Sequence, residues 1–177
     1  MMSLSDNFYA RHNMQKMEFD KPYQEIKLEV IDKFSEKQEG CDTLLLIEVP
    51  EVEEFVDYKH LQFIYKRLFE AGLDIKIKYH PPEKRDELIK NDIEGYPTEI
   101  PGEFLLKNVK SNVVSLYSLS LITASFFENL KAISLLEIVK WKDQELKRKH
   151  RRWLEEESCG QIIFPKSVDE LIDILKR

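Results

Sequence analysis

Glycine is scarce in this sequence, and its scarcity excludes the loops with which many proteins hold phosphate groups. Only five glycines occur among the 177 residues. No stretch fits GxGxxG or GxxxxGK[ST], the patterns in which glycine lets backbone N–H groups approach a phosphate. Any phosphate that this chain binds is therefore held by another arrangement.

Cysteine and histidine are also few, and neither is spaced for metal binding. The two cysteines, Cys41 and Cys159, lie far apart and form no CxxC pair. This excludes a disulfide framework and a zinc cluster as organising features and predicts a reducing, cytoplasmic compartment. The histidines are scattered without ligand spacing, so no metal and no cofactor is expected. They are His12, His60, His80 and His150.

The chain lacks an excess of positive charge and lacks long apolar runs. Its net charge is -6, which argues against a dedicated nucleic-acid binder. No apolar run approaches the roughly 20 residues of a membrane-spanning helix, and no secretory signal opens the chain. Apolar residues make up 42% and charged residues 34%, which is typical of a globular protein with a strongly solvated surface.

The pattern of apolar residues divides the chain in two. Residues 1–42 predict an irregular or helical arm, headed by a cloning remnant at residues 1–4. Residues 43–177 alternate between strand and helix patterns, which predicts one Rossmann-like α/β domain: a parallel sheet with helices on both faces. The predicted strands are residues 44–49, 74–79, 113–117, 132–136 and 161–164. The predicted helices are residues 60–71, 103–107, 118–129 and 141–157, with a last helix opening at the capping box Ser167–Glu170.

Open parallel sheets bind ligands beyond the carboxyl ends of their strands, and three segments qualify here. His80-Pro81 follows the second predicted strand, and Ser118-Leu119-Ser120 follows the third. Glu99-Ile100-Pro101-Gly102-Glu103 lies between them.

These segments, with Lys76–Tyr79 ahead of His80, resemble the bacterial sialyltransferases of the lipooligosaccharide and capsule polysialyltransferase types. The resemblance covers about residues 43–175. It implies the carboxyl-terminal, donor-binding half of a GT-B glycosyltransferase, whose substrates are CMP-sialic acid and a glycan acceptor, either lipooligosaccharide or capsular polysaccharide. It also implies a cytoplasmic enzyme that associates peripherally with the inner membrane.

The resemblance assigns the phosphate of CMP to His80 and to the serines after the third strand. A protonated imidazole at His80 stabilises the charge that develops on departing CMP. The hydroxyl of Ser118 and the free N–H groups of the following helix suit an anion. Relatives carry two adjacent hydroxyl residues, whereas here Leu119 separates Ser118 from Ser120. The structural alternatives are a histidine that satisfies a loop carbonyl and an ordinary serine cap.

The same resemblance places the ribose and the base of CMP on Pro101-Gly102-Glu103. The Glu103 carboxylate is suited to accept hydrogen bonds from two vicinal hydroxyls. Pro101 and Gly102 shape the turn against which cytosine lies. The alternative for Glu103 is a charge in the first turn of a helix, where the helix dipole favours it.

A catalytic base for the acceptor is missing from the expected set. In the family this base is an acidic residue of the amino-terminal domain, and residues 1–42 are too short for such a domain. The acidic cluster of residues 48–54 follows the first strand, within the donor domain. We therefore expect the chain to bind nucleotide weakly and to transfer nothing by itself.

Two other function classes fit parts of the sequence. A receiver-like or other non-catalytic nucleotide-binding module shares the alternating plan, but no aspartate ends the third strand of this chain. A polyanion-binding module would use the basic residues of the predicted helix over 140–153, which attract an anionic glycan or membrane. The other reading of that helix is a solvated face balanced by glutamates.

Overall fold

A parallel sheet forms the centre of the fold. The computed structural model describes residues 39–47, 50–79, 95–97 and 100–177. The strands of these residues are β1 (Cys41–Ile47), β2 (Ile75–Tyr79), β3 (Val109–Ser115) and β4 (Lys131–Ser134). They pair in the order β2-β1-β3-β4, and every neighbouring pair is parallel. The prediction of a Rossmann-like α/β fold is confirmed.

Helices connect and cover the strands. They are α1 (Tyr58–Glu70), α2 (Gly102–Leu105), α3 (Leu119–Ala124), α4 (Gln144–Glu157) and α5 (Val168–Leu175). Short 3-10 turns span Pro50–Glu54, Leu106–Asn108 and Leu135–Glu137. The predicted capping residue of the last helix is confirmed, because the Ser167 hydroxyl accepts a hydrogen bond from the Glu170 N–H.

The two faces of the sheet can be told apart by their contacts. Asn112 of β3 pairs in register with Thr43 of β1, and its amide donates to the Thr43 hydroxyl and to the Leu175 carbonyl of α5. α5 also packs against α1, so both cover this face. On the opposite face Leu46 lies against the start of α2, which packs on α3.

Burial on both faces of the sheet explains the apolar runs of the central strands, residues 44–47 in β1 and 113–114 in β3. β1 has a strand on each side and helices on both faces, so neither side chain direction leads to water. Leu44 and Leu45 are fully buried although they point in opposite directions. Val113 and Val114 of β3 are fully buried in the same way.

The predicted fifth strand, residues 161–164, is reduced to a single parallel bridge between Ile163 and Ile133. Ile163 donates to the Ala132 carbonyl and accepts from the Ser134 N–H, both at 2.8 Å. The pairing stops there because β4 ends at Ser134, whose hydroxyl caps the following 3-10 turn, and because Pro165 has no N–H to donate.

Two segments that leave the carboxyl edge of the sheet meet in a short antiparallel contact, called here the clasp (residues 55–57 with 140–142). Val56 pairs with Trp141, the Asp57 N–H donates to the Lys140 carbonyl at 2.8 Å, and the Lys142 N–H donates to the Phe55 carbonyl at 2.7 Å. These segments follow β1 and β4, the strands on either side of β3. The clasp therefore connects the segments that follow β1 and β4 beyond the end of β3.

Candidate functional site

The order of the strands places the candidate site between β1 and β3. The chain leaves β1 to build β2 on one side and later returns to add β3 on the other. In open parallel sheets the crevice at such a reversal, beyond the carboxyl ends of the strands, is where ligands bind. β3 ends at Ser115, and a turn of residues 116–118 leads from it into α3.

A close contact between α2 and α3 brings two predicted segments together. A Cβ on Gly102 would lie 2.8 Å from the Ser120 Oγ and 3.3 Å from the Leu46 Cδ2. Gly102 is thus packed between the first turn of α3 and the carboxyl-terminal part of β1. The segments Pro101–Glu103 and Ser118–Ser120 are therefore neighbours at one edge of the sheet, although they are separate in the sequence.

Ser118 is the cap of α3. Its backbone is extended, and its Oγ accepts a hydrogen bond of 3.0 Å from the Leu121 N–H. A hydroxyl has one donor and two acceptor positions, so this cap leaves its O–H able to donate to an anion. The cap reading and the anion reading of Ser118 are compatible.

Glu103 and Pro101 stand at the start of α2. Pro101 occupies the cap position and Glu103 lies in the first turn, half-buried. The neighbouring α3 begins with the half-buried Ser118 and Ser120. This arrangement places two types of group at adjacent helix starts: hydroxyls, which can donate to a phosphate, and a carboxylate, which can accept from sugar hydroxyls.

Two buried lysines on β2 are functional candidates that the sequence reasoning missed. Lys76 pairs in register with Leu44 and Lys78 with Leu46, so both point to the face that carries Gly102. Their exposed fractions are only 7% and 4%. Lys76 forms an ion pair with Glu39 at 3.3 Å, and the Lys78 Nζ donates to the Tyr79 carbonyl. An alternating strand ordinarily turns its polar residues to water. The burial of these two lysines depends on the packing of other elements, so the strand's sequence alone does not predict it.

The turn of residues 116–118 is supported by residues that the sequence reasoning also missed. The Ser134 Oγ donates to the Leu116 carbonyl at 2.6 Å, and the ring of His150 stacks on Tyr117 at 4.0 Å. Ser134 lies inside the strand predicted at residues 132–136, so a search for residues that follow a strand does not find it. The position of His150 in the sequence does not predict its contact with Tyr117, because that contact depends on where α4 packs.

His80 lies outside the described residues, so its predicted role stays a prediction, and Glu99, to which no contact is assigned, lies outside them too. The site as described therefore consists of Pro101–Glu103 with Ser118 and Ser120. Within the described part of the chain, no three His, Cys, Asp or Glu side chains are grouped to hold a metal ion.

Ion pairs on α4 favour the reading of the basic segment as a solvated face. Lys147 pairs with Glu137 at 2.7 Å, and Lys149 pairs with Glu145 at 3.1 Å. Arg151 pairs with Glu155 at 2.7 Å. Much of the positive charge is balanced locally, which weakens its attraction for a polyanion.

Comparison of the sequence with protein-family models and with curated proteins finds no match. Across the residues that the structure describes, no helix combines the length and the apolar character needed to cross a membrane.

Proposed function

We propose that this chain binds the nucleotide of CMP-sialic acid, as the donor-binding part of a sialyltransferase. The observation that carries the proposal is the contact of Gly102 with Ser120 beside the carboxyl end of β1. It joins two of the three segments on which the family resemblance depends, at the kind of position where parallel sheets bind ligands.

The polar groups at this position match the parts of CMP. The Ser118 hydroxyl and the first N–H groups of α3 bind the phosphate, since a helix start offers amides without intrahelical acceptors. The Glu103 carboxylate accepts hydrogen bonds from the ribose hydroxyls. Cytosine lies against the turn at Pro101 and Gly102. The buried lysines of β2 lie on the same face of the sheet.

The proposed reaction breaks the bond between the anomeric carbon of sialic acid and the phosphate oxygen of CMP. A hydroxyl of the glycan acceptor forms the new bond to that carbon and loses its proton to a base. Departing CMP takes the electron pair of the broken bond, and His80 stabilises or protonates its phosphate. The base belongs to an acceptor-binding domain, and the whole enzyme acts at the cytoplasmic face of the membrane.

Calorimetric titration with CMP tests the proposal, with UMP and ADP as control ligands. We expect binding selective for CMP, weakened about tenfold or more by Glu103→Gln or His80→Ala, which corresponds to about 1.4 kcal/mol. Glu70→Gln is the matched control, because Glu70 is an exposed glutamate at the far end of α1. It should bind CMP as the wild type does.

A substitution of Ser118 separates its cap role from an anion role. Ser118→Asp keeps a good helix cap but places a negative charge where the phosphate is proposed to bind. We expect a near-normal unfolding midpoint together with lost CMP binding. Wild-type affinity in Ser118→Asp, or a wild type that binds CMP, UMP and ADP equally or not at all, would overturn the proposal.

A further inference from the structure

The turn of residues 116–118 links β3 to the cap of α3 and is held on one side by a buried serine. Ser134 at the end of β4 is fully buried. Its Oγ donates to the Leu116 carbonyl at 2.6 Å and accepts from the Leu136 N–H at 3.2 Å. The hydroxyl uses both its donor and an acceptor, so its orientation is fixed. It therefore ties the start of the turn to the neighbouring strand.

An aromatic contact holds the middle of the same turn. The His150 ring of α4 lies 4.0 Å from the Tyr117 ring, with 18° between their planes. Trp141 and Trp153 flank the imidazole at ring distances of 5.8 Å and 6.5 Å. Burial lowers the pKa of His150, so the ring that stacks on Tyr117 at neutral pH is the uncharged one.

We propose that Ser134 and His150 are positioning residues, which fix the turn of residues 116–118 and so aim the Ser118 hydroxyl. The residue after Leu116 and Tyr117 is Ser118 itself, so a displacement of either passes directly to the cap. The part of this inference that concerns nucleotide rests on the proposed function. The part that concerns the turn does not.

Amide hydrogen exchange measures the turn without any ligand. The Leu121 N–H donates to the Ser118 Oγ, so its protection reports whether the cap is correctly placed. In His150→Ala and Ser134→Ala we expect Leu121 to exchange about tenfold faster or more, with Leu45 of β1 unchanged. His150→Phe retains a flat ring against Tyr117 and should restore wild-type protection.

Two matched controls exclude a general effect of losing a ring or a hydroxyl. His60→Ala removes a histidine of α1 that stacks on Phe63 at 6.2 Å. Ser158→Ala removes a fully buried hydroxyl that has no hydrogen-bond partner among the described residues. Both should leave the exchange of Leu121 as in the wild type.

Calorimetry on the same variants tests the consequence for nucleotide. We expect CMP affinity to fall about tenfold in His150→Ala and to recover in His150→Phe. Unchanged Leu121 exchange in His150→Ala, or faster exchange that extends equally to Leu45, overturns the positioning role. A wild type that binds no CMP overturns the proposed function alone, since the exchange data still decide whether the turn is held. CMP affinity that is unchanged in His150→Ala overturns the link between turn and ligand.

Discussion

Gly102 is a residue whose identity is dictated by packing against two neighbouring elements. A Cβ at this position would lie 2.8 Å from the Ser120 Oγ and 3.3 Å from the Leu46 Cδ2, so the side chains of a packed helix and a packed strand would have to shift. The requirement is steric and does not come from an unusual backbone angle, since the positive-φ glycines of the described chain are Gly72 and Gly160. Substitution at Gly102 therefore tests the α2–α3 contact directly.

We expect Gly102→Ala to destabilise the protein by about 1–3 kcal/mol, the usual cost of overpacking. Adding Ser120→Ala should recover part of this loss, because it removes the Oγ that lies 2.8 Å from the new Cβ. Gly95→Ala is the matched control, since among the described residues its Cβ would meet only the Ile77 carbonyl oxygen, at an ordinary 3.6 Å. Urea unfolding midpoints measure all of these effects. Equal losses in Gly102→Ala and Gly95→Ala would contradict the packing argument.

At the scale of elements, the alternation of strands and helices was readable from the sequence, whereas their ends were not. A strand buried on both faces is continuously apolar, so β1 was evident at residues 44–47. β4 is shorter than its apolar run because the Ser134 hydroxyl accepts from the Leu136 N–H and starts a 3-10 turn. Local hydrogen bonds of this kind compete with the ladder of a sheet, and apolar periodicity does not reveal them.

In the candidate site, too, some features could be predicted from the sequence and others could not. The nearness of Pro101–Glu103 to Ser118 could be predicted, because both were expected at the carboxyl edge of one parallel sheet. The burial of Lys78 and the stacking of His150 could not, because each depends on the packing of elements distant in sequence. The residues proposed to touch the ligand are thus easier to find from the sequence than the residues that support them.

α4 offers a test of a single element, since its start depends on one side chain. The Asp143 carboxylate accepts from the Glu145 and Leu146 N–H groups at 2.8 Å and 2.9 Å. We expect Asp143→Ala to cost about 0.5–2 kcal/mol and Asp143→Asn much less, because asparagine is also a good cap. Asp173→Ala, at an exposed position inside α5, is the control and should change little. Thermal unfolding of the three variants measures these changes in stability. A small effect of Asp143→Ala would show that α4 does not need this cap.

At the scale of the whole molecule, two histidines make stability depend on pH. Burial lowers the pKa of both His60 and His150, and at His60 the nearby Lys140 lowers it further. The folded protein then binds protons more weakly than the unfolded chain, whose histidines keep the ordinary pKa of 6.5. Stability that is fully present above pH 6.5 is therefore lost as the pH falls below that value.

We expect the unfolding free energy to decrease between about pH 7.5 and pH 5.5, and to decrease less in His150→Phe, which cannot bind a proton. Urea unfolding at several pH values gives the slope of the unfolding free energy against pH for the wild type and for His150→Phe. A slope in His150→Phe equal to that of the wild type would show that the imidazole of His150 binds protons equally well in the folded and unfolded states.

The clasp has a consequence for the order in which the molecule folds. Its two segments, residues 55–57 and 140–142, are joined by Val56–Trp141 pairing but are far apart along the chain. Closing so long a loop is entropically costly until intervening strands have already brought its ends together. We therefore expect the clasp to be among the last contacts to form. Trp141 also lies 6.4 Å from Tyr117. We therefore expect the turn of residues 116–118 to reach its final form late in folding, when the clasp closes.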